Sequence, residues 1–437
     1  KREIGLFGGI SILAGIMIGS GIFVFGGLIL SRVGYSLGLS LIVWLIGGII
    51  TLFSGLTYAE LGTLFPETGG YYVYLRKAYG RKIAFLSGIM NFILSSSGSI
   101  ALLALIFSDV LSYLLPVGHL VKWIAAGLII LLSTINYLGI KIGATIQKIF
   151  LVAKILPLLF IIIVGLFMGG ESVNLSLQLT DNVSFPKLLT MIGFGIVGTL
   201  WAYEGWTNLN TVVGEMKNAK KDLPKALLFS TVMVTCVYVL FIFALYRILA
   251  YADVIAISQE GGLLPIAAMM TVFGEIGMTF IFIAVLISIF GALNGSVMVF
   301  PRVYYAMAKD GTFFKSFAKL DEKHHTPIVS IIGSGIVAIV LLQFDIEQLL
   351  TFVVFGGLIF NTLIFISVFI FRKRHPNYER PYKVWGYPLV PIFAIIGMVG
   401  LLVATLIESL VPSLIGFGVL VMGYGLYHLF MKDEKIK

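Results

Sequence analysis

Apolar residues fall along this chain in long blocks separated by short polar segments. A helix needs ~20 mostly apolar residues to cross a bilayer. Twelve blocks of that order occur, at 5–30, 37–62, 83–115, 120–138, 143–168, 186–212, 224–250, 263–307, 328–344, 347–371, 388–407 and 411–431. The third and eighth are long enough to tilt strongly or to run on beyond the bilayer. The first follows Lys1-Arg2, but its apolar run exceeds a signal-peptide core and no small-residue cleavage site follows, so it is expected to stay in the mature protein. No connection is long enough for a separate soluble domain.

Composition narrows the class further. Of 437 residues, 59% are hydrophobic and 12% charged, against a usual charged share of roughly 25%. A soluble fold of that composition could not cover its own surface. The chain reads as an all-α polytopic membrane protein, which excludes a soluble enzyme, a nucleic-acid-binding domain and a disulfide-stapled secreted protein. The single cysteine, Cys236, rules out an internal disulfide and a Cys-based zinc site. Lying in an apolar stretch, it is expected to be a buried small residue.

The net charge of +9 acquires meaning from its placement. With the N-terminus in the cytoplasm and the spans alternating, 25 of the 30 Lys and Arg residues fall on the cytoplasmic side. Arg32, Lys122, Lys187 and Arg247 fall outside, and Lys154 remains within a span. That asymmetry favours twelve spans with both termini inside.

Twelve helices with little outside the membrane argue for transport. The five histidines all lie in loops or near span ends, and there is no His-Glu-x-x-His, no Gly-x-Ser-x-Gly and no Gly-Lys of a phosphate-binding loop. Secondary transport is therefore the leading class, an intramembrane enzyme the lesser one. No cofactor and no metal site is expected.

Substrate sites of transporters often lie where a helix is interrupted near the midplane, freeing backbone groups. Between Glu3 and Arg32 the midpoint falls near residue 18, and Gly15-Ile16-Met17-Ile18-Gly19-Ser20-Gly21-Ile22 straddles it. Between Lys187 and Lys217 the midpoint is 202, straddled by Trp201-Ala202-Tyr203-Glu204-Gly205-Trp206. Five spans separate the two breaks, and an odd number of helices per repeat inverts the second copy. Gly333-Ser334-Gly335-Ile336 repeats the first tetrapeptide letter for letter. It lies near a span end after Pro327, where small residues are expected to allow close helix packing.

An exposed half-helix N-terminus offers unpaired N–H groups and a positive dipole end, suited to a carboxylate. The hydroxyl of Ser20 and the amides around Gly21, at Gly19 and Ile22, would serve it. Freed carbonyls in both breaks would accept from an ammonium, so an α-amino acid fits best. Trp201, with Tyr203 close by, could lie over the substrate as a gate; the alternative is an aromatic packed in the bundle. Two readings stay open for Lys154: snorkelling toward the inner surface, or an internal cation serving as proton carrier or in place of a metal ion. Glu204, the acid of the second break, should face water or a polar partner. Asp109, Glu60, Arg247 and Arg302 read as interfacial anchors.

At these residues the chain resembles a known family. Gly19-Ser20-Gly21-Ile22-Phe23, Pro66-Glu67-Thr68-Gly69-Gly70-Tyr71-Tyr72-Val73-Tyr74 with Ala78-Tyr79-Gly80, and Tyr305-Ala306-Met307-Ala308-Lys309-Asp310-Gly311 are similar to signatures of the amino acid–polyamine–organocation superfamily. Trp201 through Asn210, with Glu215-Met216 and Leu223-Pro224, narrows the resemblance to the L-type amino acid transporter (LAT) family, nearest its bacterial alanine–serine–cysteine exchangers. The motifs cover most of 5–320 in order. The resemblance implies a LeuT-type 5+5 inverted repeat with helices 1 and 6 unwound: 1–170 and 171–375 as the repeats, 376–437 as two additional helices. It implies sodium-independent exchange of small neutral L-amino acids in a bacterial plasma (inner) membrane, with proton-coupled symport through Lys154 the alternative. By position, Ser20 and Gly21 would bind the carboxylate, and the backbone carbonyls of Met17, Trp201 and Glu204 the amino group. Lys154 would stand near the place of a sodium ion in sodium-coupled relatives. Animal members carry an outer cysteine bonded to a glycoprotein subunit. Residues 116–121 hold none, so no such partner is expected beyond amino acid substrates and membrane lipid.

Overall fold

The computed structural model describes residues 2–177 and 183–430; Lys1 and the C-terminal lysines of the charge argument lie outside that range. A helix stands at each of the twelve apolar blocks. The first is broken: α1 (Leu6–Met17) and α2 (Gly21–Arg32) meet at a 50° bend. Next come α3 (Leu37–Leu64), α4 (Tyr71–Tyr79) and α5 (Arg81–Met90), which runs through a π-turn at Asn91–Ser95 into α6 (Ser96–Leu114). After α7 (Val121–Tyr137) and α8 (Ile140–Met168), the sixth block is α9 (Phe185–Ala202), a non-helical stretch and the single turn α10 (Asn208–Thr211). Then follow α11 (Ala219–Ile248), α12 (Tyr251–Gln259), α13 (Leu264–Val299), α14 (Pro301–Lys309), α15 (Ile328–Leu341), α16 (Ile346–Arg374), α17 (Leu389–Glu408) and α18 (Leu410–Phe430).

Among the described residues ten helices are long and apolar enough to cross a membrane, and the bent α1–α2 pair makes eleven. Helix α15 is apolar but has only 14 residues, short of the usual ~20. The eighth block is long for a local reason: α13 breaks helical geometry at Gly274, where φ is +61°, and turns again into α14 after Val299.

With hydrocarbon on every side, helices associate through close packing rather than water exclusion. Helix α3 lies against α11 and α9; a Cβ at Gly48 would fall 2.4 Å from Thr235 Cγ2. The control tetrapeptide behaves as expected: a Cβ on Gly333 would meet the Phe317 ring at 2.7 Å, and Gly335 faces Ser133 and Ile129 of α7. Cys236 does not. It is exposed on α11, in the stripe of outward Phe229, Val232 and Leu240. An apolar run looks the same whether a residue faces the bundle or lipid.

The charges read as interfacial anchors mostly have partners. Glu60, 2% exposed, takes a bidentate grip from Arg372, Nε at 2.9 Å and Nη2 at 2.6 Å, and accepts from the Val384 amide at 2.8 Å. Arg372 also lies over the Tyr387 ring at 3.8 Å. Glu60 thus fastens the segment between α16 and α17 onto α3. Removing one partner of such a buried pair costs about 3 kcal/mol or more. Glu60→Ala is therefore expected to lower the unfolding temperature of the detergent-solubilised protein by several degrees; a shift within about 2 °C would show the clasp to be dispensable. Arg247 donates to the carbonyls of Glu171 (2.8 Å) and Gly169 (2.5 Å), tying the end of α11 to that of α8.

At one end of the bundle the family-like motifs converge. Arg76 pairs with Asp310, Lys77 with Glu67 at 3.0 Å, and the hydroxyls of Tyr72 and Thr312 meet at 2.7 Å. Beside them Arg302, buried, pairs with Glu215 at 2.5 Å. The N-terminal segment closes this end through peptide hydrogen bonds and the buried Ile4 side chain. The amides of Glu3 and Ile4 donate to the Glu215 carbonyl at 2.9 and 3.0 Å, and the Lys217 amide to the Ile4 carbonyl at 2.8 Å.

Candidate functional site

The two interruptions lie against each other. A Cβ on Gly21 would fall 2.9 Å from Ala202 Cα, where α9 ends. One on Gly205 would fall 2.9 Å from Ile16 and 3.1 Å from the Met17 amide nitrogen. Gly205 also has φ +121°, a region L side chains rarely enter. Glycine here serves close approach as much as turning. Trp206, next in line, is buried between Tyr58 (5.0 Å, edge-on) and Phe365 (5.9 Å, stacked), which anchors the chain beyond the second break.

The breaks line a cavity of about 300 Å³, at the small end of ligand sites. Met17, Gly19, Ser20, Gly21, Trp201, Glu204 and Gly205 all border it. Among the described residues the amides of Ser20, Gly21 and Ile22 find no backbone carbonyl, and the Ser20 hydroxyl makes no cap. Three unpaired donors therefore stand at the start of α2, with its positive dipole end behind them. Acceptors are near. The Trp201 carbonyl, at the last turn of α9, accepts the Glu204 amide at 3.2 Å and is also approached by the Tyr203 amide. The Met17 carbonyl is more occupied, accepting from the Gly19 amide and the Tyr238 hydroxyl, each at 2.9 Å. The Glu204 side chain is exposed to the cavity deep in the bundle.

Two expected residues are absent from that lining. Ile22 is fully buried and offers the site only its amide. Tyr203 is the clearer correction. Its ring packs on Trp44 and Tyr238, its hydroxyl donates to the Trp44 carbonyl at 3.0 Å, and it faces away from the cavity, so it cannot gate it. At helical spacing residues 201 and 203 point to opposite faces of the end of α9, leaving Trp201 at the cavity.

Lys154 lies behind the first break and does not snorkel. It is 1% exposed, and Nζ donates to the carbonyls of Gly15 (2.7 Å), Ile18 (2.7 Å) and Ser288 (2.8 Å). The Ser288 hydroxyl adds bonds to the carbonyls of Ile18 (2.9 Å) and Gly19 (3.1 Å). The ammonium and this hydroxyl together take up carbonyls that the interruption of helix 1 sets free.

Sequence reasoning missed the far wall. Asn91, Ser95, Ser96 and Ser99, on the π-turn and α6, face the breaks together with Tyr71 and Asn361. Asn361 accepts from Tyr58 at 2.5 Å. The signal existed: Asn91 and the serines straddle the midpoint between Lys82 and Asp109, and Asn361 that between Glu347 and Arg372. Among the described residues no cluster of three His, Cys, Asp or Glu side chains could hold a metal ion.

A family model described as "Amino acid permease" matches residues 4–427. The chain belongs to the amino acid permease family. Among this permease's relatives is the serine/threonine exchanger SteT of Bacillus subtilis, 35% identical over 98% of this chain and 97% of the relative. Human b(0,+)-type amino acid transporter 1 is 31% identical over 94% of this chain and 83% of its own length. The human large neutral amino acids transporter small subunit 2 is 32% identical over 98% and 80%. The permease is thus a multi-pass membrane protein whose relatives are amino acid transporters and exchangers.

Proposed function

We propose that the permease exchanges small neutral L-amino acids across a bacterial inner membrane by alternating access, independently of sodium. The observation that carries this reading is the pair of abutting breaks, which set unpaired amides and open carbonyls around one small cavity. The substrate carboxylate would sit on Ser20 and the amides of Gly21 and Ile22 beside Gly19. Its ammonium would meet the carbonyls of Met17, Trp201 and Glu204, displacing the Tyr238 hydroxyl or the Gly19 amide at Met17. Trp201 would cover the substrate. The polar wall at Asn91 and Ser95–Ser99 suits a short or hydroxylated side chain, and the name of the Bacillus relative supports that class.

In this reading α15 counts as a span, giving twelve. Residues 1–170 and 171–375 form inverted repeats, and 376–437 adds two helices. With both termini cytoplasmic, the cavity extends outward along Ile106 of α6 and Ile346 of α16, while the Glu215–Arg302 pair and the N-terminal peptide bonds close the inner side. Lys154 takes the carbonyls a sodium ion would need, which supports sodium independence. A linked glycoprotein subunit is not part of the proposal, because 116–121 lack cysteine.

In proteoliposomes, uptake of labelled alanine or serine is expected to require internal amino acid and to be unchanged when sodium is replaced by choline. Equal uptake into empty vesicles would sink the exchange reading. A second reading, proton-coupled symport with Lys154 as carrier, draws on a buried amine hydrogen-bonded to carbonyls alone. It requires an imposed pH gradient to drive accumulation into those empty vesicles.

A further inference from the structure

We propose that a second cavity, on the membrane face of α3, α9 and α17, holds one acyl chain of an outer-leaflet phospholipid whose phosphate meets Lys187. The leaflet assignment rests on the orientation proposed above; the groove does not. This cavity, about 540 Å³, is distinct from that between the breaks. It carries no charged residue, and its one hydroxyl, on Thr190, is spent on the Pro186 carbonyl at 3.0 Å. All its lining lies within three membrane-spanning helices, so hydrocarbon rather than water is the medium that fills it. An empty cleft there would forfeit dispersion contacts on every wall.

Its shape fits a chain rather than a headgroup or a helix. Glycines hollow facing walls: at Gly193 on α9 and at Gly400 on α17, a Cβ would meet nothing within 4 Å. Along α17 the lining runs from Phe393 to Ile407, which at 1.5 Å per residue is ~21 Å. That exceeds the ~15 Å of one leaflet's hydrocarbon, so a single acyl chain fits lengthwise.

The occupant's charge is set at the mouth. Lys187, Thr190, Phe194 and Val197 follow i, i+3, i+7, i+10 spacing, one stripe of α9. The last three line the cavity; Lys187, exposed, stands one turn above it. A basic side chain at the end of an apolar slot matches a lipid phosphate. The groove also backs directly onto the substrate cavity, since Leu200 faces one and Trp201 the other. A lipid chain there would buttress the helix that ends at the second break.

The test uses the full chain in phosphatidylcholine vesicles doped with phosphatidylglycerol carrying an acyl-chain diazirine. After photolysis, adducts are expected to concentrate on peptides spanning 190–200 and 393–407. Gly400→Phe, which fills the slot, should reduce them at least fivefold at unchanged unfolding temperature. Should that variant not fold, Gly193→Leu fills the same space from the opposite wall. Lys187→Gln should remove the preference for phosphatidylglycerol over an equally labelled phosphatidylcholine; a preference left intact overturns the phosphate contact. Adducts spread evenly over other exposed faces, such as Ile163 and Phe229, or a protein–protein crosslink in the groove, overturn the lipid site. None of these readouts depends on transport, so a failed exchange assay leaves them decisive.

Discussion

Lys154→Ala is expected to slow amino acid exchange at least tenfold while weakening substrate binding less. The Lys154 ammonium has three donors and spends all three, on Gly15, Ile18 and Ser288. It thereby fastens α8 both to the first break and to α13. Truncation removes one donor from each of three buried carbonyls, at about 1–3 kcal/mol for each that is left unsatisfied. The Ser288 hydroxyl still reaches Ile18 and Gly19, so the break keeps part of its support and the amides of Gly21 and Ile22 stay near their places. In the proposed cycle, what would be lost is the link between the first break and α8 and α13, and conformational steps commonly set turnover. Arginine should not rescue. A Cβ on Gly291 would already stand 3.0 Å from the Lys154 amine, so the site is closed around an ammonium and has no room for a planar guanidinium. Counterflow rates and equilibrium binding, measured on the same preparation, check both halves. Kinetics unchanged from the parent would mean that the ammonium only fills space.

Gly205→Ala is expected to weaken substrate binding at least tenfold, a larger effect on affinity than that of Lys154→Ala. Its φ of +121° costs an L-residue roughly 1–3 kcal/mol by itself. The added methyl would also press on Ile16 and the Met17 amide, which lie in the first break. Both breaks must then shift, and a displacement worth ~1.4 kcal/mol at the site is already tenfold in affinity. Gly127→Ala is the control. That glycine lies in α7 with open space at its Cβ position, so the change should be neutral or slightly stabilising. Isothermal titration of the three proteins with alanine or serine decides the matter. Parent-like affinity in Gly205→Ala would show that the two breaks are not one site.

Most of the helical framework was legible because hydrocarbon imposes one demand on every span, a long apolar run, and that demand is written locally. The two breaks were legible for a related reason: small and polar residues at the depth farthest from flanking charges are conspicuous. What stayed hidden depended on direction or on distance in the chain. Tyr203 and Trp201 are two residues apart, which at helical spacing puts them on opposite faces, but nothing local says which face meets the cavity. Cys236 sits in a run that is equally apolar toward lipid and toward protein. The grip of Arg372 on Glu60 joins residues 312 positions apart, and nothing local to either announces the other. The wall at Asn91 and Ser95–Ser99 was accessible to the same midpoint argument that found the breaks, but its π-turn keeps the helix continuous and it holds one glycine, Gly98, rather than a cluster.

The N-terminal segment has a practical consequence for anyone labelling this protein. Its hydrogen bonds to Glu215 and Lys217 use main-chain atoms of Glu3 and Ile4, so replacing the exposed Glu3 side chain leaves them intact, whereas proline at position 4 deletes a donor outright. In the alternating-access reading proposed above, a fluorophore at residue 2 would ride on the first half of helix 1 and report its motion. One attached to α18 would travel with the peripheral helices. On that reading the pair would form a ruler for opening at this end of the bundle.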